Sequence, residues 1–549
     1  MPKRNRENGN GNERHKRLRL ERLSHISALS DEVLLRIFAY LSVSTLNLCQ
    51  RVSQRFYNLA GDSQIWKSLY YDRWVRPRVS RLPRNRGLNL AQNNLDLPNK
   101  LIRWLGEENL VRRGQDTNWK RQYKIRQRWS RGSCNVDELK VAEQPSTPPL
   151  LVRLHEGVII TADSFSGLRA WSVKSERQIL ASHALPSPAR PTSLAVDISD
   201  QGRSQLSVAI GFDNGSYSIY RLDKPKKSFV LIHLHEQSSN GSVIAIALSI
   251  PYLLTMTTRQ YLSFYEVERK AGPKVAPCAR LLHALRSQTV KSPFSLSIRT
   301  TPKALIASVV YVLPLHISGW TIGIQELHLT SNGEYLGSRI NAATGGFPSL
   351  LSASLPSSPS GTPLAPSNAS HWRSRITVSA QTYGKPTSIS YTHPYLLVSH
   401  ADNTLTLYYV RSNGSELSIS SGTRLWGHTS SVSSAHISGR GKAVSVSIKG
   451  EEIRVWELEG RGMDSDDRDH MKADTSSIQV RPEPVAEHLE DLKIVGNDDK
   501  SAAERKEKFL KRMEKIDISN AWIGFDEENV IIQKESPKGS QMLTIYNFT

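Results

Sequence analysis

Residues 24–70 constrain what this chain can fold into more than any other stretch. Apolar residues recur there at helical spacing and predict a first helix of about three turns. Ser30 or Asp31 suits its start, and Glu32 places negative charge in the first turn, where the helix dipole favours it. Three further short helices are predicted before residue 70. So short a bundle cannot bury all of its apolar surface, and we expect part of that surface to bind a partner.

The order of these residues resembles an F-box. That family begins with Leu-Pro-x-Glu, continues into an apolar helix, passes through Val-Ser/Cys-x-x-Trp/Phe, and ends on Trp followed by Leu. Ser30 stands in place of the usual Pro, and both residues suit the start of a helix. The alternative is an ordinary helical bundle, because short apolar motifs also match by chance. The matching residues are Leu29, Glu32, Ile37, Leu41, Leu46, Val52, Ser53, Phe56, Trp66 and Leu69.

Length and composition bound the class of protein. The 549 residues correspond to about three or four domains. A hydrophobic content of 38% is somewhat low for a compact fold and predicts disordered inserts. No apolar run is long enough for a membrane span, and no apolar signal segment opens the chain, so neither a span nor secretion is expected. Cys49, Cys134 and Cys278 are far apart and follow no metal spacing, which fits a reducing compartment.

The net charge is +21, and much of the excess precedes residue 132. Residues 1–22 form a polar tail with two basic clusters and are predicted to be disordered. A nuclear-localisation signal and a solvated tail explain the clusters about equally well, so the predicted localisation is the nucleus, the cytoplasm or both. Nucleic-acid contact is a third interpretation that no recognisable module supports. The clusters comprise Lys3, Arg4, Arg6, Arg14, Lys16, Arg17 and Arg19.

Residues 73–132, which follow the predicted F-box at 23–72, interleave arginine with tryptophan and other apolar residues. Such a pattern can bind nucleic acid by stacking and phosphate contact. We favour a basic helical linker whose aromatic side chains pack against the neighbouring domains while arginine stays in water. Its last part, from Asn118 to Gly132, resembles the segment that joins the F-box to the first blade in F-box/WD-repeat proteins.

From residue 133 onward, short β-rich runs alternate with turn residues. The clearest unit starts at Gly427-His428 and ends at Trp456, and it resembles a WD repeat. In that family the His, a turn Asp and the Trp belong to a hydrogen-bonded network that ties a blade together. Gly450 stands where the Asp would be, so the network is predicted to be incomplete. A weaker copy ends at Trp171, which is assigned the same structural role.

Seven such units are recognisable, and they predict a seven-bladed WD-repeat-type β-propeller over residues 133–549. A strand around Cys134–Val141 is predicted to complete the sheet that holds the last unit. A pair of β-sandwiches is the alternative fold. Two inserts are predicted to interrupt the ring: a disordered Ser/Pro/Gly-rich segment at 341–375 and a highly charged segment at 460–517.

No catalytic constellation is recognisable in the sequence. The 16 histidines do not cluster with Cys, Asp or Glu at ligand spacing, no Gly-rich phosphate loop follows a strand, and no Gly-x-Ser-x-Gly elbow occurs. We therefore expect no enzymatic activity, no cofactor and no metal site.

The resemblance to F-box/WD-repeat proteins implies a substrate receptor of an SCF (Skp–cullin–F-box) ubiquitin ligase. The F-box would bind the Skp adaptor and, through it, the cullin–RING module, while the propeller would hold an unknown protein substrate. A scaffold that binds the adaptor outside any ligase, and a propeller associated with nucleic acid or chromatin, are the alternatives. The residues implied in adaptor binding are Leu29, Glu32, Ile37, Phe38, Leu41, Leu46, Val52 and Trp66.

Substrate-binding residues are harder to assign. Relatives that bind phosphorylated degrons place arginines near the inner turns of one propeller face, where they pair with phosphate. In this chain the best basic candidates are Arg169, Arg259 and Lys449. A solvated surface charge is the more ordinary explanation for each one, so the sequence leaves open whether the degron is phosphorylated.

Overall fold

The computed structural model describes the greater part of the chain. It divides into two compact units, residues 1–124 and residues 125–549, which are treated separately below. In the part that is described, no helix is long and apolar enough to cross a membrane. The described residues are 26, 29–76, 117–145, 147–174, 178–197, 206–267, 279–286, 290–301, 304–314, 319–330, 332–343, 384–412, 416–448, 450, 452–458, 477–482, 522–535 and 539–549.

The first unit begins with four short helices. Side-chain oxygens of Ser42, Ser53 and Asp62 accept hydrogen bonds from backbone amides at the starts of the last three, as expected for N-cap residues. Ser30 precedes the first helix without such a bond. The helices are α1 (Asp31–Phe38), α2 (Val43–Cys49), α3 (Gln54–Ala60) and α4 (Ser63–Tyr70), and a π-helical turn follows at Tyr71–Val75.

A fifth helix, α5, spans Trp119–Arg131, and the division between the two units falls within it. Trp119 and Tyr123 belong to an aromatic cluster of the first unit that also contains Trp66 and Tyr70. Each of these four side chains is buried, so the first unit has a core of its own. The linker predicted at 73–132 is therefore helical where it is described, and residues 77–116 lie outside the described part.

The second unit consists of seven β-sheets. Strand β1 (Ser133–Ala142) opens it and joins the last sheet. Sheets one to three contain β2 (Leu151–His155), β3 (Val158–Asp163), β4 (Gly167–Ser172) and β5 (Ile179–His183); β6 (Pro191–Val196), β7 (Leu206–Phe212), β8 (Tyr217–Asp223) and β9 (Ser228–His235); β10 (Val243–Ser249), β11 (Tyr252–Thr257), β12 (Tyr261–Val267) and β13 (Ala279–Arg286).

The remaining four sheets continue in chain order. They contain β14 (Lys291–Thr300), β15 (Leu305–Pro314), β16 (Trp320–Leu329) and β17 (Tyr335–Ala342); β18 (Pro386–Thr392), β19 (Tyr395–His400), β20 (Leu405–Ser412), β21 (Leu417–Ile419) and β22 (Thr423–Leu425); β23 (Val432–Ile437), β24 (Lys442–Ser447), β25 (Ile453–Glu457) and β26 (Ile478–Gln479); β27 (Arg481–Pro482), β28 (Ile523–Phe525), β29 (Asn529–Glu535) and β30 (Gln541–Asn547), together with β1.

The sheets close into a ring. The first strand of each sheet contacts the first strand of the next, from β2 through β6, β10, β14, β18 and β23 to β28, and β28 contacts β2 again. These strands are therefore the innermost ones, and apolar clusters fill the spaces between neighbouring sheets. The fold is a seven-bladed β-propeller after an α-helical region, which confirms the predicted fold class and excludes the β-sandwich pair.

The last blade combines both ends of the propeller sequence. Strand β1 completes the sheet of the last unit, as predicted; it pairs antiparallel with β30, with Val136 opposite Tyr546. The short strand β27 adds to β1 in parallel, with Ser133 opposite Arg481. This pairing covers the edge of β30 and joins both ends of the propeller sequence in one sheet.

The predicted inserts are only partly described. Residues 341 and 342 still belong to β17, and β26 and β27 lie within the segment 460–517. That segment is thus not a single charged insert, because short stretches of it pair with the edges of two blades. Residues 344–375, most of 460–517 and the tail at 1–22 lie outside the described residues.

Candidate functional site

The first helix of the first unit carries apolar side chains that face solvent. Val33 and Ile37 are four residues apart, which places them on one side of α1; Tyr40 follows in the turn after the helix, and all three are exposed. Ile37 is 43% exposed and Val52, after α2, is 69% exposed. Leu48 is exposed as well. We call Val33, Ile37, Tyr40, Leu48 and Val52 the exposed F-box residues. Exposed apolar side chains on so small a domain indicate an interaction surface.

Three residues implied in adaptor binding lie instead in the core of the first unit. Phe38, Leu46 and Trp66 are buried. The Phe38 ring packs edge-on against Phe56 with centroids 5.3 Å apart, and Trp66 Nε1 donates a hydrogen bond to the Ala60 carbonyl at 2.8 Å. Intramolecular contacts account for their burial, so the expectation that they touch the adaptor is corrected: they hold the helices together.

The other implied residues stay candidates. Leu29 is half-buried, and its carbonyl accepts a hydrogen bond from Arg55 Nη2, which also pairs with Asp31 at 2.6 Å. Glu32 is exposed, and Leu41 is half-buried against the core. Adaptor contacts of Leu29, Glu32 and Leu41 therefore stay predictions.

Sequence reasoning missed Val33, Tyr40 and Leu48 as adaptor candidates. The apolar stripe of α1 is wide, and spacing alone does not divide it into a core half and a solvent half. Leu34 and Phe38 face the core, whereas Val33, one position before Leu34, faces solvent. Only the packing of α1 against its neighbours separates the two halves.

In the sixth blade, His428, Ser445 and Trp456 form a buried hydrogen-bonded chain. Trp456 Nε1 donates to Ser445 Oγ at 2.8 Å, and the hydroxyl lies 2.6 Å from His428 Nε2, to which it can donate. Glu452 Oε2 lies 3.3 Å from His428 Nδ1. No hydrogen bond joins His428 Nδ1 to this carboxylate or to any other described group, so the network is incomplete at that nitrogen, as predicted. Gly450 adopts a positive φ of 65°, and the turn brings in a carboxylate from two residues further along.

The Glu452 carboxylate is held in its charged form. Burial by itself would raise the pKa of Glu452, but hydrogen bonds from the Thr429 amide, the Arg454 guanidinium and the Thr429 hydroxyl outweigh it and lower the pKa below its ordinary value. The amide of Thr429 donates to Oε2 at 2.9 Å, and Arg454 Nε donates to Oε1 at 2.6 Å. The network therefore ties the link between blades to the second and third strands of the sixth blade.

The state of His428 makes the propeller sensitive to acid. Burial lowers the pKa of His428 to about 4, although Glu452 acts in the opposite direction. In the unfolded chain a histidine has a pKa of about 6.5. Between that pH and the lower pKa of folded His428, the unfolded chain binds a proton that the folded chain does not bind. Stability therefore falls as the pH drops through that window. We expect the free energy of unfolding, measured by urea titration, to fall by about 2 kcal/mol between pH 7 and pH 5 for this group.

The matched comparison is His428→Gln, whose urea midpoint should depend less on pH. Some dependence should persist, because burial and the charge of Arg153 lower the pKa of His436 to about 4 as well. An identical slope of stability against pH in the wild-type chain and in His428→Gln would contradict this role of His428.

Arg169, a candidate for substrate binding, has a structural role in the first blade. Its Nη2 pairs with Asp163 Oδ2 at 2.7 Å, and its Nη1 donates to the Val141 carbonyl at 2.8 Å. Both charged side chains are buried, so the assignment of Arg169 to substrate binding is corrected. Trp171 is also buried, and its Nε1 donates to Thr161 Oγ1 at 3.0 Å.

The remaining basic candidates do not form a cluster. Arg259 is exposed in the turn between β11 and β12 of the third blade, and Lys449 lies outside the described residues. Arg169 belongs to the first blade, so the structure does not bring it together with Arg259. A role for Arg259 and Lys449 in substrate binding stays a prediction.

Two exposed aromatic residues lie on the same face as Arg259. Antiparallel strands place the turns between second and third strands on one face of the ring, together with the links from blade to blade; we call it the upper face. Phe165 is exposed in one such turn, and Trp426, in the link before β23, is 62% exposed. Arg424 lies over the Trp426 ring at 5.0 Å and pairs with Asp402. Aromatic residues held in this way are frequent binding hot spots.

Metal binding finds no support in the described residues, among which no group of three or more His, Cys, Asp or Glu side chains could hold an ion. The expectation that the protein needs no cofactor stays a prediction.

Comparison with known families agrees with these features. Residues 27–72 match the family described as F-box-like. A helical F-box followed by a seven-bladed propeller defines the class of F-box propeller proteins. Residues 134–549 match the family described as F-box protein pof12 beta-propeller, and the chain belongs to that family.

Solved structures are similar in fold alone. The WD40 propeller domain of Doa1 shares 11% identity with a TM-score of 0.36, covering 75% of this chain and 95% of that one. The propeller domain of Cps50 (Swd1) from Myceliophteria thermophila shares 10% identity with a TM-score of 0.38, covering 76% and 100%. Sqt1 of Saccharomyces cerevisiae shares 8% identity with a TM-score of 0.39, covering 75% and 97%. No curated protein sequence matched this chain.

Proposed function

We propose that this chain is the substrate-recognition subunit of an SCF ubiquitin ligase. The observation that carries the proposal is the set of exposed F-box residues on a domain whose own core is already filled by Phe38, Leu46 and Trp66. An F-box binds a Skp-type adaptor, and the exposed F-box residues supply the apolar contacts that such a partner requires. The propeller supplies a large, rigid second surface for a protein substrate.

The receptor performs no chemistry in this proposal. Binding one partner at the F-box and another at the propeller raises the effective concentration of a substrate lysine near the ubiquitin-charged conjugating enzyme. The upper face is the proposed substrate surface, because Arg259, Trp426 and Phe165 are exposed there. Arg259 suits an acidic or phosphorylated degron, and Trp426 suits an apolar anchor.

The experiment is purification of the full-length chain from cells with its bound proteins. The proposal expects the Skp-type adaptor, the cullin and the RING subunit together, and ubiquitinated proteins whose abundance rises when the chain is deleted. Adaptor without cullin, and no protein that accumulates on deletion, would identify a scaffold outside any ligase. Salt-sensitive nucleic-acid binding by the full-length chain, with no adaptor present, would favour the basic nucleic-acid-associated alternative.

A further inference from the structure

Two innermost strands of the propeller expose basic side chains. Arg153 lies at the middle of β2 in the first blade, and His436 lies near the end of β23 in the sixth. Both faces of each of these sheets are covered by neighbouring blades. The remaining free side of each innermost strand faces the central channel, and both side chains are exposed to solvent.

Arg153 is a cation without an anionic partner among the described residues. Its Nη1 donates to the carbonyl of its neighbour Val152 at 2.9 Å, and no carboxylate of the described part pairs with it. Arg169 and Arg454, by contrast, are each paired with a carboxylate. Arg153 therefore presents a guanidinium whose charge no described carboxylate neutralises, and its charge-assisted hydrogen bonds favour an anion that enters the channel.

His436 lies in the same electrostatic environment. Burial and the nearby charge of Arg153 together lower the pKa of His436, so its imidazole is neutral near pH 7 and has one N–H to donate. Phe525, on the innermost strand of the seventh blade, contacts the imidazole edge-on with centroids 5.5 Å apart. The channel thus combines the charged guanidinium donors of Arg153, the neutral N–H donor of His436 and the apolar ring of Phe525.

We propose that the central channel binds a compact free oxyanion between Arg153 and His436. Phosphate and small polycarboxylates share the necessary chemistry, because two oxygens on one centre match the two parallel N–H groups of a guanidinium. The imidazole N–H binds a further oxygen of the same anion. This site is separate from the proposed substrate surface, since it depends on the channel wall and not on the turns of the upper face.

The test is equilibrium dialysis of the full-length chain against radiolabelled inorganic phosphate and, separately, citrate, at constant ionic strength in chloride. We expect saturable binding of one anion per chain. Binding to Arg153→Gln should be about tenfold to a hundredfold weaker, the effect of losing charged hydrogen-bond donors. Arg190→Gln, which removes an equal charge from the exposed link before β6, should bind as the wild-type chain does.

Arg153→Lys is a control that separates a loss of anion binding from a loss of folding. It keeps the charge and loses the paired donors, so its affinity should fall between those of the wild-type chain and Arg153→Gln. Equal affinity in all three forms would overturn the proposal. The absence of saturable binding of either anion, or binding only of an Asp/Glu-rich peptide included as a third probe, would overturn it too.

Discussion

Replacing Ile37 and Val52 together with glutamate is expected to weaken adaptor binding at least about a hundredfold while the first unit stays folded. Both side chains are exposed, so the change costs the isolated domain little. In the complex, each substitution is expected to remove apolar contact worth about 1.5–3 kcal/mol and to bury a carboxylate in an apolar interface. The measurement is calorimetric titration of the full-length variant with purified Skp-type adaptor.

A matched control lies on the rim of the propeller. Leu336 and Ile340, on β17, are also exposed apolar residues, and glutamate at both positions changes charge and hydropathy by a similar amount. This control should bind the adaptor normally. Unchanged circular dichroism of both double variants would show that folding is preserved. Normal adaptor binding by the Ile37/Val52 double variant would contradict the assignment of these residues to the adaptor surface.

Trp129→Ala is expected to destabilise the second unit by about 3–5 kcal/mol. Trp129 is 1% exposed and stacks on Phe548 with centroids 4.0 Å apart. Its Nε1 donates to the Glu527 carbonyl at 2.8 Å, and Lys442 Nζ lies 4.2 Å from the ring centroid. Alanine would leave a cavity, an unpaired carbonyl and a cation without its aromatic partner at the blade that closes the ring.

The control for this prediction is Trp426→Ala, which removes a tryptophan that is 62% exposed. Its free energy of unfolding should change by less than about 0.5 kcal/mol. The comparison is made by urea unfolding at pH 7, followed by circular dichroism because both variants lose a fluorophore. Equal effects of the two substitutions would show that burial of Trp129 does not stabilise the propeller.

Much of the fold follows from patterns that are local in the chain. The helical spacing around Ile37 and the succession of β-rich runs with turn residues were sufficient for an F-box and seven blades. The pairing of β1 with β30 was also predictable, because a ring of sheets that leaves its ends unpaired exposes strand edges. The Gly-His start and Trp end of the sixth blade located its buried hydrogen-bonded chain.

The candidate sites were less predictable, because their residues act through partners that are distant in sequence. Arg169 resembles a surface arginine in the sequence, but Asp163 and the Val141 carbonyl pair with it in the interior. Glu452 approaches His428 to 3.3 Å after a turn in which Gly450 has a positive φ, and the sequence pattern did not indicate that approach. No sequence pattern marked Arg153 as a site residue, because only closure of the ring places β2 and β23 beside the same channel.

The sequence by itself determined the class of each part, because hydrophobic periodicity and turn residues act over a few positions. Only the tertiary structure decided which side of an apolar stripe is exposed and which charges are paired. Phe38 and Ile37 are neighbours in the chain, yet one fills the core and the other faces solvent. The physical reason is that burial and electrostatic pairing depend on every element packed nearby, and most of those elements are far away in the chain.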